Sequence, residues 1–104
     1  MSQDITVYKS FEEFYPFYLK EHSNRTNRRL HFIGTSLGVL FLIYFILTKQ
    51  YSMLLVPFVF GYGFAWVGHF FFQKNRPATF KYPGMSLRGD FTLWSQILSG
   101  KIKF

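Results

Sequence analysis

Cysteine is absent from this 104-residue chain. That excludes a disulfide framework, a thiolate metal site and a Cys nucleophile, and leaves the redox compartment unread. Acidic residues are scarce too, five against twelve Lys and Arg, so catalysis by paired carboxylates has little to draw on. There is no HExxH or HxxxH pair, no arrangement suited to Ser-His-Asp nucleophilic catalysis, and no phosphate-binding Gly loop following a strand. Repeats, low-complexity tracts and linkers are missing as well, and the length allows one domain. The first residues, Met1-Ser2-Gln3-Asp4, are polar and the first apolar run comes late, so no cleavable signal peptide is expected.

What the chain does have is apolar and aromatic surface. About half of it is hydrophobic, with fifteen Phe, seven Tyr and two Trp. A water-soluble domain this small has too little interior to hide them. Residues 30–48 and 50–73 carry no Asp, Glu, Lys or Arg, and only Lys49 separates them. These runs, 19 and 24 residues long, compare with the roughly 20 apolar residues a helix needs to cross a bilayer core. Transmembrane helices are therefore expected over residues 30–48 and 51–73. The turn between them is so short that they must run antiparallel. The fold class expected is an all-α integral membrane helical hairpin, flanked by N- and C-terminal interfacial helices. A buried soluble hairpin is the alternative, but little polar sequence remains to wrap it.

The charge of +7 follows the same plan. Eleven basic residues flank the open end of the hairpin and Lys49 alone lies at the closed end. Cytoplasmic segments are rich in Lys and Arg, so both termini are expected on the cytoplasmic side of a bacterial inner membrane or an endoplasmic-reticulum-type membrane. Topology accounts for the basic excess, and no nucleic-acid partner is expected.

The flanks read as helices. Ser10 and Glu13 have capping-box spacing. Phe11, Phe14, Tyr15, Tyr18 and His22 then recur at helical intervals, giving an interfacial helix over residues 11–23 in which Pro16 either kinks the helix or restarts it. Pro77 ends the second span, and Pro83-Gly84 marks a turn. Leu87, Phe91, Trp94 and Leu98 form a stripe on an amphipathic helix over residues 87–99, too short to span, with Gly89 weakening its start. It lies in the interface or covers the open end as a lid.

Placing the turn centre between Lys49 and Gln50 sets Gly34 level with Ala65 and Gly38 level with Gly61. Small residues at four-residue spacing let membrane helices approach closely. The same register brings His31 level with Gly68, beside His69, and His22 lies on the segment that folds back over that end. All three His of the chain thus converge on one locus. Imidazole ligates Fe, Zn and Cu, so a shared metal is expected at His22, His31 and His69, weighed against hydrogen-bonded structural histidines. Asn27-Arg28 and Asn75-Arg76 flank the spans symmetrically. Arg offers a planar fork to a carboxylate, so Arg28 or Arg76 is a candidate clamp for an amphipathic substrate, or else an anchor to lipid phosphates. Carboxylates are scarce, so Glu21 and Asp90 are the acidic partners expected for the cluster, as acceptors behind the imidazoles or as a fourth ligand.

The stretches His22-Ser23-Asn24-Arg25-Thr26-Asn27-Arg28-Arg29-Leu30-His31 and Gly68-His69-Phe70-Phe71-Phe72-Gln73-Lys74-Asn75-Arg76-Pro77-Ala78 resemble those of a family of small membrane proteins. Its fungal representative is a 2-hydroxy-fatty-acid dioxygenase of phytosphingosine breakdown. The resemblance extends from about Phe11 to Phe91. It implies an Fe(II)-dependent enzyme that shortens a 2-hydroxy fatty acid by one carbon with O2, in which His22, His31 and His69 are the essential metal ligands and catalytic residues. Arg28, Arg76, Asn27 and Asn75 are then the candidate substrate-binding residues. Gln73 stands where Glu is expected, a departure that bears on activity if that Glu is a ligand or base.

The leading expectation is therefore a membrane-embedded non-haem iron dioxygenase whose partners are the lipid bilayer, a fatty-acid-type substrate and O2. The competing class is a non-catalytic small membrane protein, a subunit or lipid-organising scaffold. Because two spans make a thin scaffold, a homodimer packing four helices is expected.

Overall fold

The structure, a computed structural model, describes residues 7–104; the polar first four residues, on which the signal-peptide expectation rests, lie outside the described residues. Among the described residues it is helical, without strands. The elements are α1 (Phe11–Lys20), α2 (Arg25–Leu47), α3 (Val56–Val67) and α4 (Pro83–Leu98). A six-residue π-helical segment, Gly68–Gln73, continues α3. Single 3-10 turns occupy Tyr51–Met53 and Ala78–Phe80.

Local chemistry explains the boundaries. Ser10 is extended and its Oγ accepts from the backbone N–H of Glu13 at 3.2 Å, a cap worth about 1 kcal/mol. The helix runs through Pro16 and ends at Lys20, short of the expected residue 23. Asn24 caps α2 in the same way, accepting from the Asn27 N–H at 3.1 Å. That cap starts α2 at Arg25, five residues before the apolar run, so Arg25, Arg28 and Arg29 form a basic first turn and a half. Pro83 opens α4 at its first position, where a fixed φ suits a helix and a missing N–H costs nothing. The expected turn at Pro83-Gly84 is thus the first turn of a helix four residues longer at this end than foreseen.

Two stretches, Arg25–Leu47 and Tyr51–Gln73, are long and apolar enough by length and composition to cross a membrane. They pack against each other in opposite directions. A methyl group on Gly34 would stand 2.6 Å from Phe64 Cβ and 3.2 Å from the carbonyl oxygen of Gly61. One on Gly38 would stand 3.0 Å from the Pro57 carbonyl oxygen. Gly34 therefore packs against Phe64 Cβ and the carbonyls of Phe60 and Gly61 rather than opposite Ala65, and Gly38 packs against the Pro57 carbonyl rather than opposite Gly61. At the turn Lys49 takes a left-handed φ of 58°. Phe41 stacks on Phe60 nearby, with centroids 4.9 Å apart.

The second core lies between the flanking helices. Phe14 and Tyr18 of α1 bury against Leu93 and Ile97 of α4, with Ala78 from the intervening loop. The two flanks therefore cover the open end together. The buried positions of α4 are Ser86, Gly89, Leu93 and Ile97, not the stripe of Leu87, Phe91, Trp94 and Leu98. Of that stripe, Leu87, Phe91 and Leu98 are exposed, while Trp94 donates its indole N–H to Ser36 Oγ of α2 at 2.9 Å. The inner face needs small residues because an aromatic ring lies on it. A Cβ at Gly89 would come within 2.9 Å of the Tyr18 ring. Gly89, which weakens the helix by itself, is what lets Tyr18 lie flat on α4.

Gly34→Ala is expected to destabilise the helix pair by about 1–3 kcal/mol, the usual cost of overpacking. Gly63→Ala, whose Cβ meets nothing within 4 Å, should be neutral or mildly stabilising. Thermal unfolding of the two variants side by side in one detergent checks this. Equal midpoints would contradict the close approach at Gly34.

Candidate metal centre

The site begins where α1 ends. His22 follows the last turn of α1, and its Nδ1–H donates to the backbone carbonyl of Tyr18, one turn earlier, at 2.6 Å. A carbonyl oxygen can only accept, so this bond places the ring proton on Nδ1 and leaves the lone pair on Nε2. The imidazole also stacks on Tyr18 with centroids 3.9 Å apart.

His69 is fixed by the same logic from the other side. It sits in the π-helical segment, a widened turn of a kind often found at functional sites. Lys74 then adopts the left-handed region at φ 60°, turning the chain so that Asn75 returns to the segment and its backbone N–H donates to the His69 carbonyl at 3.1 Å. The Asn75 amide donates from Nδ2 to the Glu21 carbonyl at 3.0 Å, which orients Oδ1 toward His69 Nδ1 at 2.6 Å. His69 therefore donates from Nδ1 and presents a bare Nε2.

These two bare nitrogens face each other. His69 Nε2 lies 3.0 Å from His22 Nε2, with the other nitrogen of each ring committed as a donor. Two lone pairs at that distance repel unless a cation or a proton lies between them. Burial, and secondarily the nearby His69, pushes the His22 pKa down to about 3, which argues against a proton. His31 supplies a third nitrogen: its Nε2 is buried and has no hydrogen-bond partner. One nitrogen from each of the three buried rings lies within 4.8 Å of the others. Nitrogens bound at about 2.1 Å to one ion and about 90° apart stand about 3 Å from each other. The donor set, the tautomers of His22 and His69 and the 3.0 Å between their Nε2 atoms suit a metal ion. The three rings also border a void of about 10 Å³. Ser86, whose buried Oγ has no hydrogen-bond partner, borders it too.

Around the rings lies an oriented outer layer. Asp90 Oδ1 is 3.8 Å from His31 Nδ1 and accepts a hydrogen bond from the Tyr18 hydroxyl. Burial raises the Asp90 pKa to about 7, against the opposing pull of that hydrogen bond. Burial first, and then the Asp90 charge, hold the Tyr18 hydroxyl well above its ordinary range.

The other residues singled out in the sequence take varied positions. Asn27 is fully buried and packs on Gly68, where a Cβ would stand 2.2 Å from Asn27 Oδ1. Arg28 donates to the carbonyls of His22 and Ser23 at 3.4 and 3.0 Å, so it holds the loop that carries His22. Arg76 is exposed and borders a shallow depression with Phe70, Phe71, Lys74 and Asn75. Glu21 contributes its backbone carbonyl to the Asn75 amide. Gln73 accepts at Oε1 from the Asn24 backbone at 2.7 Å and donates from Nε2 to Ser23 Oγ at 2.9 Å. It thus ties the His22 loop to the end of the second long stretch. A Glu could keep the first of these bonds as an acceptor but could not donate the second. Tyr18 and Ser86 line the site as well, outside the set of residues that the sequence pattern marks for it. Tyr18 carries a legible signal, since it lies one helical turn before His22; Ser86 has none.

Two opposite pH dependences follow for the metal-free protein. The folded His22 pKa of about 3 lies below its ordinary 6.5, so its contribution to stability is present above pH 6.5 and is lost as pH falls. The folded Asp90 pKa of about 7 lies above its ordinary 3.8, so its contribution is present below 3.8 and is lost as pH rises through 7. Between pH 7 and 4 the two oppose. His22→Gln should therefore make the acid loss of stability shallower than in the wild type, and Asp90→Asn should make it steeper, read from unfolding midpoints against pH.

Neither a curated protein nor a solved structure matches this chain. A family model described as "Mpo1-like: 2-hydroxy-palmitic acid dioxygenase Mpo1-like" matches residues 8–102, a range that contains all three histidines, Asn75 and Asp90. With nearly the whole length matched, the chain belongs to the Mpo1-like family.

Proposed function

We propose that this protein is a membrane-embedded Fe(II)-dependent dioxygenase that shortens 2-hydroxy fatty acids by one carbon. The observation that carries the reading is the pair of bare imidazole nitrogens of His22 and His69, 3.0 Å apart, beside the unpartnered His31 Nε2, in a chain of this family. The reaction balances with one O2 per acid. The bond between C1 and C2 breaks, C1 leaves as CO2, and C2 becomes the carboxyl carbon of the shorter acid. The four electrons removed from the two carbons reduce O2, and one water is released.

Fe(II), held by His22, His31 and His69, would supply the one-electron chemistry through which O2 reacts with a closed-shell acid, and three protein ligands would leave room for substrate and O2. The remaining work belongs to the chain itself. The Tyr18 carbonyl and Asn75 Oδ1 hold the protons of His22 and His69 on Nδ1, so both Nε2 atoms stay available as ligands. Asp90 stands beside His31 and is tethered by Tyr18, a position suited to holding a proton near the reacting carboxyl group. The packed layer of α1 aromatic rings and α4 aliphatic side chains keeps bulk water off the cluster. Arg28, by holding the His22 loop, is a positioning residue in this reading, and Arg76 an anchor at the membrane surface.

Membrane insertion is part of the proposal. Leu40, Ile43, Leu47, Leu55, Val59 and Phe71 are among many large apolar side chains that project outward from the two long stretches, as lipid-facing residues must. Lys and Arg cluster at the end carrying the histidines, which supports a cytoplasmic site with both termini on that side. A homodimer is compatible with this reading, but the three imidazoles come from one chain and no second copy is needed to assemble them.

The test is turnover. Protein purified in detergent and loaded anaerobically with Fe(II) should consume O2 and convert 2-hydroxypalmitate to pentadecanoate. His69→Ala should lose both metal and activity. A wild type that binds no metal and makes no product ends the proposal. Asn75→Ala, which removes the acceptor orienting His69, should lower metal affinity by about 10–100-fold while leaving the fold intact, as measured by metal titration alongside far-ultraviolet circular dichroism.

A further inference from the structure

The His cluster is not the only opening in the molecule. An apolar cavity of about 210 Å³ lies between α2, α3 and α4. Its polar lining is confined to His31, Thr35, Tyr62 and Asp90, all toward the end carrying the histidines. Beyond them the walls are apolar, among them Val39, Leu42, Pro57, Phe58 and Phe91. His31, Tyr62, Ala65 and Asp90 also border the small void that His22 and His69 line. The cavity thus begins at the candidate metal centre and runs away from it along the helix pair.

Its length is informative. From His31 to Leu42 is eleven residues of continuous α-helix, about 16 Å at 1.5 Å per residue. That is about half of a ~30 Å hydrocarbon core, the depth filled by the acyl chains of one leaflet. A second observation concerns Gly61. Gly34 and Gly38 are glycines because the partner helix lies against them, but a Cβ on Gly61 would meet nothing within 4 Å. Gly61 borders the cavity, so its missing side chain leaves open space rather than a close helix contact.

We propose that this cavity seats the acyl tail of the substrate, and that Gly61 keeps it open and so sets which chain lengths are accepted. The inference rests on the reading of the chain as an oxygenase of 2-hydroxy fatty acids and adds the tail subsite. A straight alkyl chain fits for three reasons: the cavity is apolar, it has a single polar end, and that end is where the carboxyl and 2-hydroxyl must react. Gly61 does not touch the reacting atoms; its role is in specificity.

The experiment uses the full chain with two readouts. In the first, iron-loaded wild type, Gly61→Ala, Gly61→Leu and Gly63→Leu are assayed on 2-hydroxyoctanoate and 2-hydroxypalmitate. Each methylene kept out of an apolar site weakens binding about fourfold, so turning two or more away should cost the long acid about tenfold or more relative to the short one. Gly61→Leu should show that loss, Gly61→Ala less of it, and Gly63→Leu none. In the second, metal-free protein is photolabelled with a 2-hydroxypalmitate analogue bearing a diazirine near its methyl end. Labelling at Leu42, Pro57 and Phe58, diminished in Gly61→Leu, is the expected result.

An unchanged chain-length profile in Gly61→Leu overturns the proposal, as does labelling confined to the outward-facing Leu40, Ile43 and Val59. A diazirine phosphatidylcholine that labels the cavity as strongly as the acid assigns it to bulk lipid and also overturns it. Labelling of the cavity with no turnover of any acid overturns the oxygenase reading and leaves the tail subsite standing.

Discussion

Two imidazole nitrogens that face each other without a proton between them set the terms for the rest of this molecule. Each is fixed from behind by a group that can only accept, the Tyr18 carbonyl for His22 and the Asn75 amide oxygen for His69. The front of each ring is then a lone pair, and the two lone pairs are 3.0 Å apart. Such an arrangement is unfavourable in a buried site unless a cation occupies it. Many features of the fold serve this arrangement. The π-helical segment and the left-handed Lys74 bring Asn75 back onto His69. Gln73 and Arg28 hold the loop that carries His22. Gly68 makes room for Asn27, and Gly89 for Tyr18.

The architecture divides the labour. The two long helices supply His31, His69 and an apolar surround, while the flanks supply His22 and the cover. Because α1 and α4 pack on one another through Phe14, Tyr18, Leu93 and Ile97, they form a small core of their own over the end of the helix pair. The same α4 contributes Asp90 to the histidine cluster and Phe91 to the cavity wall. A helix that reads from its sequence as an interfacial element or lid therefore packs Gly89, Leu93 and Ile97 against the aromatic rings of α1 and turns Leu87 and Phe91 toward the cavity.

The amino-acid pattern by itself determined the all-helical class, the two long apolar stretches, the family motifs and the convergence of His22, His31 and His69. These follow from residue type and period, which operate over a few turns of one helix and survive a modest error in pairing. Only the tertiary structure decided that Gly34 packs among Phe60, Gly61 and Phe64 and Gly38 on Pro57, because register depends on where the turn reverses. Tertiary structure alone also chose the buried face of α4. Hydrophobicity singled out Leu87, Phe91, Trp94 and Leu98, but burial followed Ser86, Gly89, Leu93 and Ile97, where the missing side chain of Gly89 leaves room for the Tyr18 ring. The tautomers of the histidines belong to the same class. They are set by acceptors that approach from distant parts of the chain, and no local pattern of residues encodes which nitrogen is left bare.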